Sequence, residues 1–403
     1  MPFISLLDNR AKPKGSRDPL GFELVWSHFG RKVVGNLTTI TSSMDNFAIA
    51  LLGFYWVNQI IPMDDSDGRH KKVREAFIKY EQLTGYIRYY GKAQDIMGIT
   101  RIKKRLNDDS IKLTLGMTSV QQILSDQASY GLWGLYSTAA RETGLVEGSE
   151  RRMTHAGSVI AENIINQLGD DAKTIYSTLL SPKPLNKSKL KEVATSLMDA
   201  IHHESVQQPL LDALMSGRNS ELQKELWRIT QSIFNDKKSP DNVEEFIQHI
   251  LDTKPSEELT RCIQDIMNVE RLLVASNNIF HYCRSKNSDS LEAVISGIEQ
   301  SFTHLASELP AGNFANKTSL QSILDAFKSH DMNRVIRELV QLNKDVMKQR
   351  NGAPWIEITS GKALDVKVKN EKGQLKKQIM LENKWDYDYF LGSYLSIARK
   401  HIG

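Results

Sequence analysis

Hydrophobic positions along the chain recur mainly every three or four residues, the spacing that gathers side chains on one face of an α-helix. "LGFELVWSHFGRKVV" from residue 20 and "VREAFIKYEQLTGYIRYY" from residue 73, closed by Gly91, both follow it. Between them "FAIALLGFYWVNQII" is apolar on every side, but it is short for a bilayer span and carries Asn58 and Gln59, so it reads as a buried helix and no membrane association is expected. Beyond residue 170 helix follows helix. Cys262, Ile266, Val269 and Leu273 share one face, as do Val335, Leu339, Leu342 and Val346. In "SPDNVEEFIQHIL", Ser239 is expected as an N-cap with Pro240 at the first helical position. No fixed-period repeat is present, which disfavours a solenoid.

Two stretches change period. "GITRIKKRLNDDSIKLTLG" (98–116) predicts a short basic helix or turn, then a strand alternating Ile111, Leu113 and Leu115. "SVQQILSDQASYGLWGLYSTAARETGLV" (119–146) predicts two helices about a tight glycine break, the second ending at Gly144; "EGSERRMT" predicts a strand-turn-strand, with Thr154 capping the next helix. Together these make a helix-turn-helix with a wing. Near the C-terminus Asn351-Gly352 reads as a helix C-cap, and Pro354 prevents the helix from continuing. "WIEIT", "ALDVKVK" and "QLKKQIML" then alternate as strands, with "NEKG" as a hairpin turn. The last helix, "WDYDYFLGSYLSIARKHI", is placed to dock on that sheet. Its aromatic residues Trp385, Tyr387, Tyr389, Phe390 and Tyr394 would cover either a partner or a local core. The expected fold is therefore mainly α: multi-helical, with a winged-helix-like module and a small C-terminal α+β cap. Its parts are a helical region with a flexible basic arm (1–94), the winged module (95–168), a helical domain (169–350) and the cap (351–403).

Composition narrows the class only a little. A chain of 403 residues, 40% hydrophobic and 25% charged, has room for two or three ordinary globular domains. Cys262 and Cys283 sit in helical apolar patterns rather than a C-x-x-C pair, so neither a disulfide framework nor a structural zinc is suggested and a reducing compartment is expected. The start, "MPFISLLDNRAKPKG", lacks the basic region and apolar run of a secretion signal, and a cytoplasmic location follows as the expectation. Lys plus Arg against Asp plus Glu is 18 to 12 over residues 1–116, 18 to 26 over 117–310 and 16 to 10 over 311–403. The ends are basic and the middle acidic, a distribution that can mark anionic partners at the ends.

Candidate chemistry falls in two places. In a DNA-reading winged helix the second helix enters the major groove and basic wing residues meet phosphates. Here the helix offers Arg141 and the wing Arg151 and Arg152, while the upstream Arg101, Lys103, Lys104 and Arg105 form a denser phosphate-facing cluster. Residues 117–170 hold only three Arg and no Lys against six acids, too little charge for the wing to hold DNA unaided. "GYIRYYGK" interleaves Tyr86, Tyr89 and Tyr90 with Arg88 and Lys92, a pattern able to stack bases. The other place is the C-terminal sheet. Glu357, Asp365 and Lys367 have the D-x-K spacing with which restriction-type nucleases hold Mg²⁺ and position water. Adjacent His202 and His203 face different sides of a helix, His281 and Cys283 lack further ligands, and "TSGKALD" lacks the P-loop's first glycine and its Ser or Thr. No metal site and no cofactor are expected.

Taken together, "LGFELVWSHFGRKVVGNLTTIT", "GITRIKKRL" with "QILSDQASYGLWGLYSTAARETGLV", and "APWIEI" with "YFLGSYLSIAR" resemble a family of uncharacterised bacterial proteins associated with antiphage-defence islands. The likeness spans most of the chain and carries over no catalytic residue. It implies a bacterial cytoplasmic component acting beside other subunits, such as an ATPase or a nucleic-acid-modifying enzyme. The expected function is a non-enzymatic DNA-associated or adaptor subunit of an antiviral defence complex. The alternatives are a divalent-metal nuclease on the C-terminal sheet and a purely structural helical scaffold.

Overall fold

Helix takes up 64% of the described residues and strand 4%, so the fold is held by packing helix faces together rather than by sheet ladders. The structure, a computed structural model, describes residues 13, 15–61, 68–218, 220–236, 239–298, 305–369 and 385–402. In chain order the first elements are α1 (Glu23–Val33), α2 (Met44–Ile60), α3 (Arg69–Tyr90), α4 (Ile99–Asn107), α5 (Gln127–Tyr130) and α6 (Leu132–Thr143). The hairpin β1 (Val146–Glu147) and β2 (Arg152–Met153) follows, then α7 (His155–Leu168), α8 (Asp170–Leu180), α9 (Lys187–Glu192), α10 (Ala194–His202), α11 (Glu204–Ser216) and α12 (Glu221–Asn235). The rest is α13 (Val243–Asp252), α14 (Glu257–Cys283), α15 (Leu291–Ser296), α16 (Lys317–Lys328), α17 (Met332–Gln349), β3 (Ile356–Ile358), β4 (Leu364–Val366) and α18 (Leu391–Ile402). Among the described residues no helix is long and apolar enough to cross a membrane.

These elements form two compact units, one from the described residues of 1–33 and 243–389, the other from those of 34–242 and 390–403. In the second, α2 is the central helix: 13 of its 17 residues are buried, with α3, α6 and α7 against it. Its all-round apolarity is thus that of a core helix surrounded by protein. Gly53 makes the α2–α3 approach possible, because a Cβ there would lie 2.4 Å from the Tyr80 ring. The polar N-terminal turn of α2 is buried too and finds partners. Asn46 Oδ1 accepts from Arg88 at 2.8 Å, its amide donates to the Tyr136 hydroxyl at 3.1 Å, and Asp45 meets His202 at 3.1 Å. Glu81 of α3 is buried as well, accepting from the Leu132 amide at 2.7 Å and Gln127 Nε2 at 2.8 Å, which pins the start of α6.

In the other unit α14 packs on α1 and α17, α16 pairs with α17, and β3 rests on α17. Both expected core stripes are buried. Asn343 ties this unit together: its amide donates to Pro19 O at 2.9 Å and its oxygen accepts from the Trp355 amide at 2.7 Å. Arg350 adds a bond to Ser16 Oγ at 2.7 Å. The expected flexible arm is therefore fastened from Ser16 to Pro19; its residues 1–12 and 14 lie outside the described set. A non-helical segment, 385–390, crosses α1 with Tyr387 stacked on Trp26 at 6.3 Å between centroids and Tyr389 edge-on to it at 6.0 Å. Beneath it Glu270 of α14 accepts from the Asp386 amide at 2.6 Å.

Several expectations need correction. No strand forms over Ile111–Leu115, where Leu113 O instead accepts a single bond from the Leu185 amide at 2.7 Å. The first helix of the expected helix-turn-helix is only the one-turn α5. The winged-helix reading thus reduces to a helix, a hairpin and a helix: α6, β1-β2 and α7. Gly144 closes α6 in the left-handed region, and Thr154 caps α7 by accepting from the Gly157 amide. Helix α13 begins at Val243, after the expected Ser239-Pro240 start, and the Pro240 carbonyl accepts from Arg399 Nε at 2.7 Å. The C-terminal sheet has strands β3 and β4, while "NEKG" and "QLKKQIML" lie outside the described residues. The last helix starts only at Leu391 and packs on α12 in the unit that lacks this sheet. Tyr389, Phe390 and Tyr394 are buried, so this part of the aromatic cluster is core.

Burial pushes Glu81 up to about 7, against the bonds from Gln127 and the Leu132 amide, and pushes Glu270 up to about 8, against the Asp386 and Tyr387 amides. Such an acid keeps its proton in the folded chain after the unfolded chain has released its own. Its stabilising contribution is complete below the ordinary value of 4.5 and is lost as pH rises to the folded value. Equilibrium denaturation is expected to give stability that falls from about pH 4.5 to about pH 8. Glu270→Gln, which keeps an oxygen for both amides, flattens the upper part of that fall; an unchanged pH profile in this variant would contradict the assignment.

Candidate nucleic-acid interface

Helix α4 is amphipathic by a simple division. Ile102 and Leu106, one turn apart, are buried, while Arg101, Lys103 and Lys104 are exposed. Its two arginines hold the helix in place. Arg105 donates to Gln121 O at 2.7 Å, Gln122 O at 2.8 Å and the Tyr86 hydroxyl at 3.0 Å, and Arg101 reaches Gln122 O at 3.3 Å. The two lysines between them face solvent. At the C-terminal end of α4 the Lys187 ammonium donates to Leu106 O at 2.9 Å, Asp108 O at 3.3 Å and the Asp109 carboxylate at 2.8 Å. A cation there complements the carbonyls that end a helix.

That lysine joins α4 to a segment the sequence reading passed over. "SPKPLNKSKLK" (181–191) carries Lys183, Lys187, Lys189 and Lys191 with no acid, and Leu185 bonds to Leu113 beside α4. The signal was there, four lysines in eleven residues, but it sat inside the stretch whose overall balance is acidic. Together, residues 99–115 and 181–191 bring nine Lys or Arg to one region against two acids, Asp108 and Asp109. Lys103, Lys104, Lys112, Lys183, Lys189 and Lys191 are all exposed. Tyr90 borders the same region; burial raises its phenol, with Lys187 opposing. The expected stacking platform is only partly available, because Tyr86 and Arg88 are core residues and Tyr89 and Tyr90 are half-buried.

The hairpin behaves differently. Arg151, in the left-handed region at φ 55°, lays its guanidinium over the Trp133 ring at 4.6 Å and donates to Ser137 Oγ at 3.1 Å. Burial lowers its pKa, and Arg141 nearby adds to the effect. Glu150 pairs with Arg152 at 2.9 Å and with Arg69, whose side chain is 1% exposed. Burial alone would raise Glu150, but the two arginines outweigh it and hold the carboxyl below its usual range. Arg69 continues to Asn58 Oδ1 at 3.3 Å and Ile61 O at 3.2 Å, and Asn58 donates to Arg151 O at 3.1 Å. Arg141 pairs with the neighbouring Glu142 at 3.3 Å. Of the three arginines expected to meet phosphate from the helix and hairpin, Arg151 is packed on Trp133, while Arg141 and Arg152 stay partly exposed and pair with Glu142 and Glu150.

The C-terminal candidates do come together. β3 and β4 are antiparallel with Glu357 opposite Asp365, and Lys367 pairs with Glu357. Like charges directly across a sheet repel, and the lysine relieves that repulsion. Glu357 also borders a pocket of ≈ 370 Å³ lined by Arg337, Lys344 and Glu338, so charges of both signs surround it. Among the described residues no group of three or more His, Cys, Asp or Glu is arranged to hold a metal ion. Glu357 and Lys367 form an ion pair on the sheet surface, with Asp365 exposed across the strand pair from Glu357. No protein-family model, curated protein or solved structure matches the chain.

The two basic groups should separate in stability measurements. Arg69→Ala leaves Glu150 short of its buried partner and is expected to cost about 3–5 kcal/mol in chemical denaturation, the range for breaking a buried pair. Lys103→Ala with Lys104→Ala should stay within about 0.5 kcal/mol of wild type, as exposed substitutions do. Equal losses in the two variants would show that α4 is as structural as the hairpin.

Proposed function

We propose that this chain is a non-enzymatic, DNA-associated subunit of a bacterial defence assembly, working in the cytoplasm beside an ATPase or nucleic-acid-modifying partner. The reading is supported by one observation above all: α4 and the 181–191 segment, distant in sequence, are joined through Lys187 and Leu185 into one basic, lysine-rich surface. Exposed lysines on a fixed scaffold are suited to phosphates, which are bound as charge and carry no sequence information. The hairpin arginines are read as packing, so the α6-hairpin-α7 arrangement supports the surface rather than entering a groove. The defence role rests on the resemblance in the amino-acid sequence.

Such a surface binds duplex DNA weakly and without sequence preference, on the order of micromolar at physiological salt. Each phosphate contact contributes about 0.9 to the slope of log affinity against log salt. In fluorescence anisotropy with duplexes of unrelated sequence, Lys103→Ala with Lys104→Ala should flatten that slope by about 1.8, uniformly across sequences. Lys189→Ala with Lys191→Ala should do the same. A wild-type protein with no salt-dependent duplex binding, or variants with unchanged slopes, would defeat the proposal.

A further inference from the structure

A pocket of ≈ 340 Å³ opens in the basic surface between α3, α8 and α9. Its floor is aliphatic, from Leu83, Ile87, Ile175, Leu190 and Val193, and its rim is polar, from Thr174, Ser177, Thr178, Ser181 and Asn186, with Lys183 and Lys189 at the mouth. The volume is near the small end of the range for ligand pockets, about 300–1,000 Å³.

The rim has a definite hydrogen-bonding character. The Thr178 and Ser177 hydroxyls donate to Thr174 O at 2.7 and 3.1 Å, which leaves their oxygens as acceptors. The Ser181 hydroxyl oxygen accepts from the Lys183 amide at 3.2 Å and retains its proton to donate. Asn186 Oδ1 accepts from the Ser188 and Lys189 amides at 2.9 and 3.3 Å, leaving the carboxamide NH₂ as a donor. An occupant must therefore bring three things: an apolar body for the floor, hydroxyls or heteroatoms of both polarities for the rim, and an anion for the lysines. An acyl chain would leave the rim unpaired, at a desolvation cost. A sugar phosphate would leave the aliphatic floor uncovered.

We infer that this pocket takes a single nucleoside monophosphate unit, base on the aliphatic floor, sugar at the hydroxyl and amide rim, phosphate between Lys183 and Lys189. The choice of ligand rests on the nucleic-acid reading of the surrounding surface. The same chemistry is offered by a free nucleotide and by the 5′-phosphorylated end of a strand.

The test uses the full chain and isothermal titration with adenosine 5′-monophosphate, adenosine and inorganic phosphate, followed by competition with 5′-phosphorylated and 5′-hydroxyl decanucleotides. Adenosine monophosphate should bind at least tenfold more tightly than adenosine or phosphate. Lys183→Ala with Lys189→Ala should raise its Kd tenfold or more. Ser177→Trp, at an exposed rim position where the core is untouched, should block it while leaving duplex affinity within twofold of wild type. Competition by the phosphorylated strand alone identifies a strand end as the occupant; competition by neither strand identifies the free nucleotide. No nucleotide binding, or binding that survives Ser177→Trp, overturns the inference while salt-dependent duplex binding keeps the proposed function. Pocket binding without duplex binding overturns the proposed function and leaves the pocket assignment standing.

Discussion

Two arginines that cannot shed their charge are buried in the unit built around α2, and the position of the surrounding elements depends on satisfying them. Arg69 and Arg88, 1% and 2% exposed, begin and nearly end α3. An isolated buried guanidinium would cost several kcal/mol, so oxygen acceptors must be brought to it. Arg88 takes Asn46 of α2 and Asp95 O of the α3–α4 link, and Asp45 favours its charge after burial has lowered its pKa. Arg69 takes Asn58, Ile61 O and Glu150. One arginine thus fixes the approach to α4, and the other fixes the hairpin.

The functional division follows from that constraint. Where basic side chains meet the demands of the interior, as Arg151 does on Trp133 and Arg105 on the 121–122 carbonyls, they are spent on the fold. Where they project from a helix whose apolar face is already seated, as Lys103 and Lys104 do, they remain for solvent or an anionic partner. Arginine's fork suits the first role and lysine's compact, well-hydrated ammonium the second. The basic surface is accordingly made of lysines, supported by arginines beneath.

Much of the local structure was legible because its signals are local. The apolar periodicity of α3, α14 and α17, the all-round apolarity of α2, the left-handed Gly144 after α6, the Thr154 cap and the alternation in β3 and β4 each depend on a few neighbouring residues. The corrections concern partners remote in sequence. Leu113 looked like part of a strand but has one bond, from Leu185; Pro240 looked like a helix start but its carbonyl faces Arg399; α18 looked adjacent to the sheet but packs on α12. The compact units are themselves discontinuous, each gathering segments from both halves of the chain, which no linear pattern reveals. The candidate site divided the same way. Lys103 and Lys104 could be selected from a dense basic run, whereas the 181–191 lysines gain meaning only once Lys187 is seen capping α4, and the hairpin arginines lose theirs once Arg69 is seen behind Glu150.

Under the proposed function, DNA meets the α4 and 181–191 surface and not the hairpin. Hydrogen–deuterium exchange of the full chain, with and without saturating duplex at low salt, tests it directly. Amides in residues 99–115 and 181–191 should gain protection while those of 146–153 exchange as before. Protection centred on 146–153, with none at α4, would contradict the account.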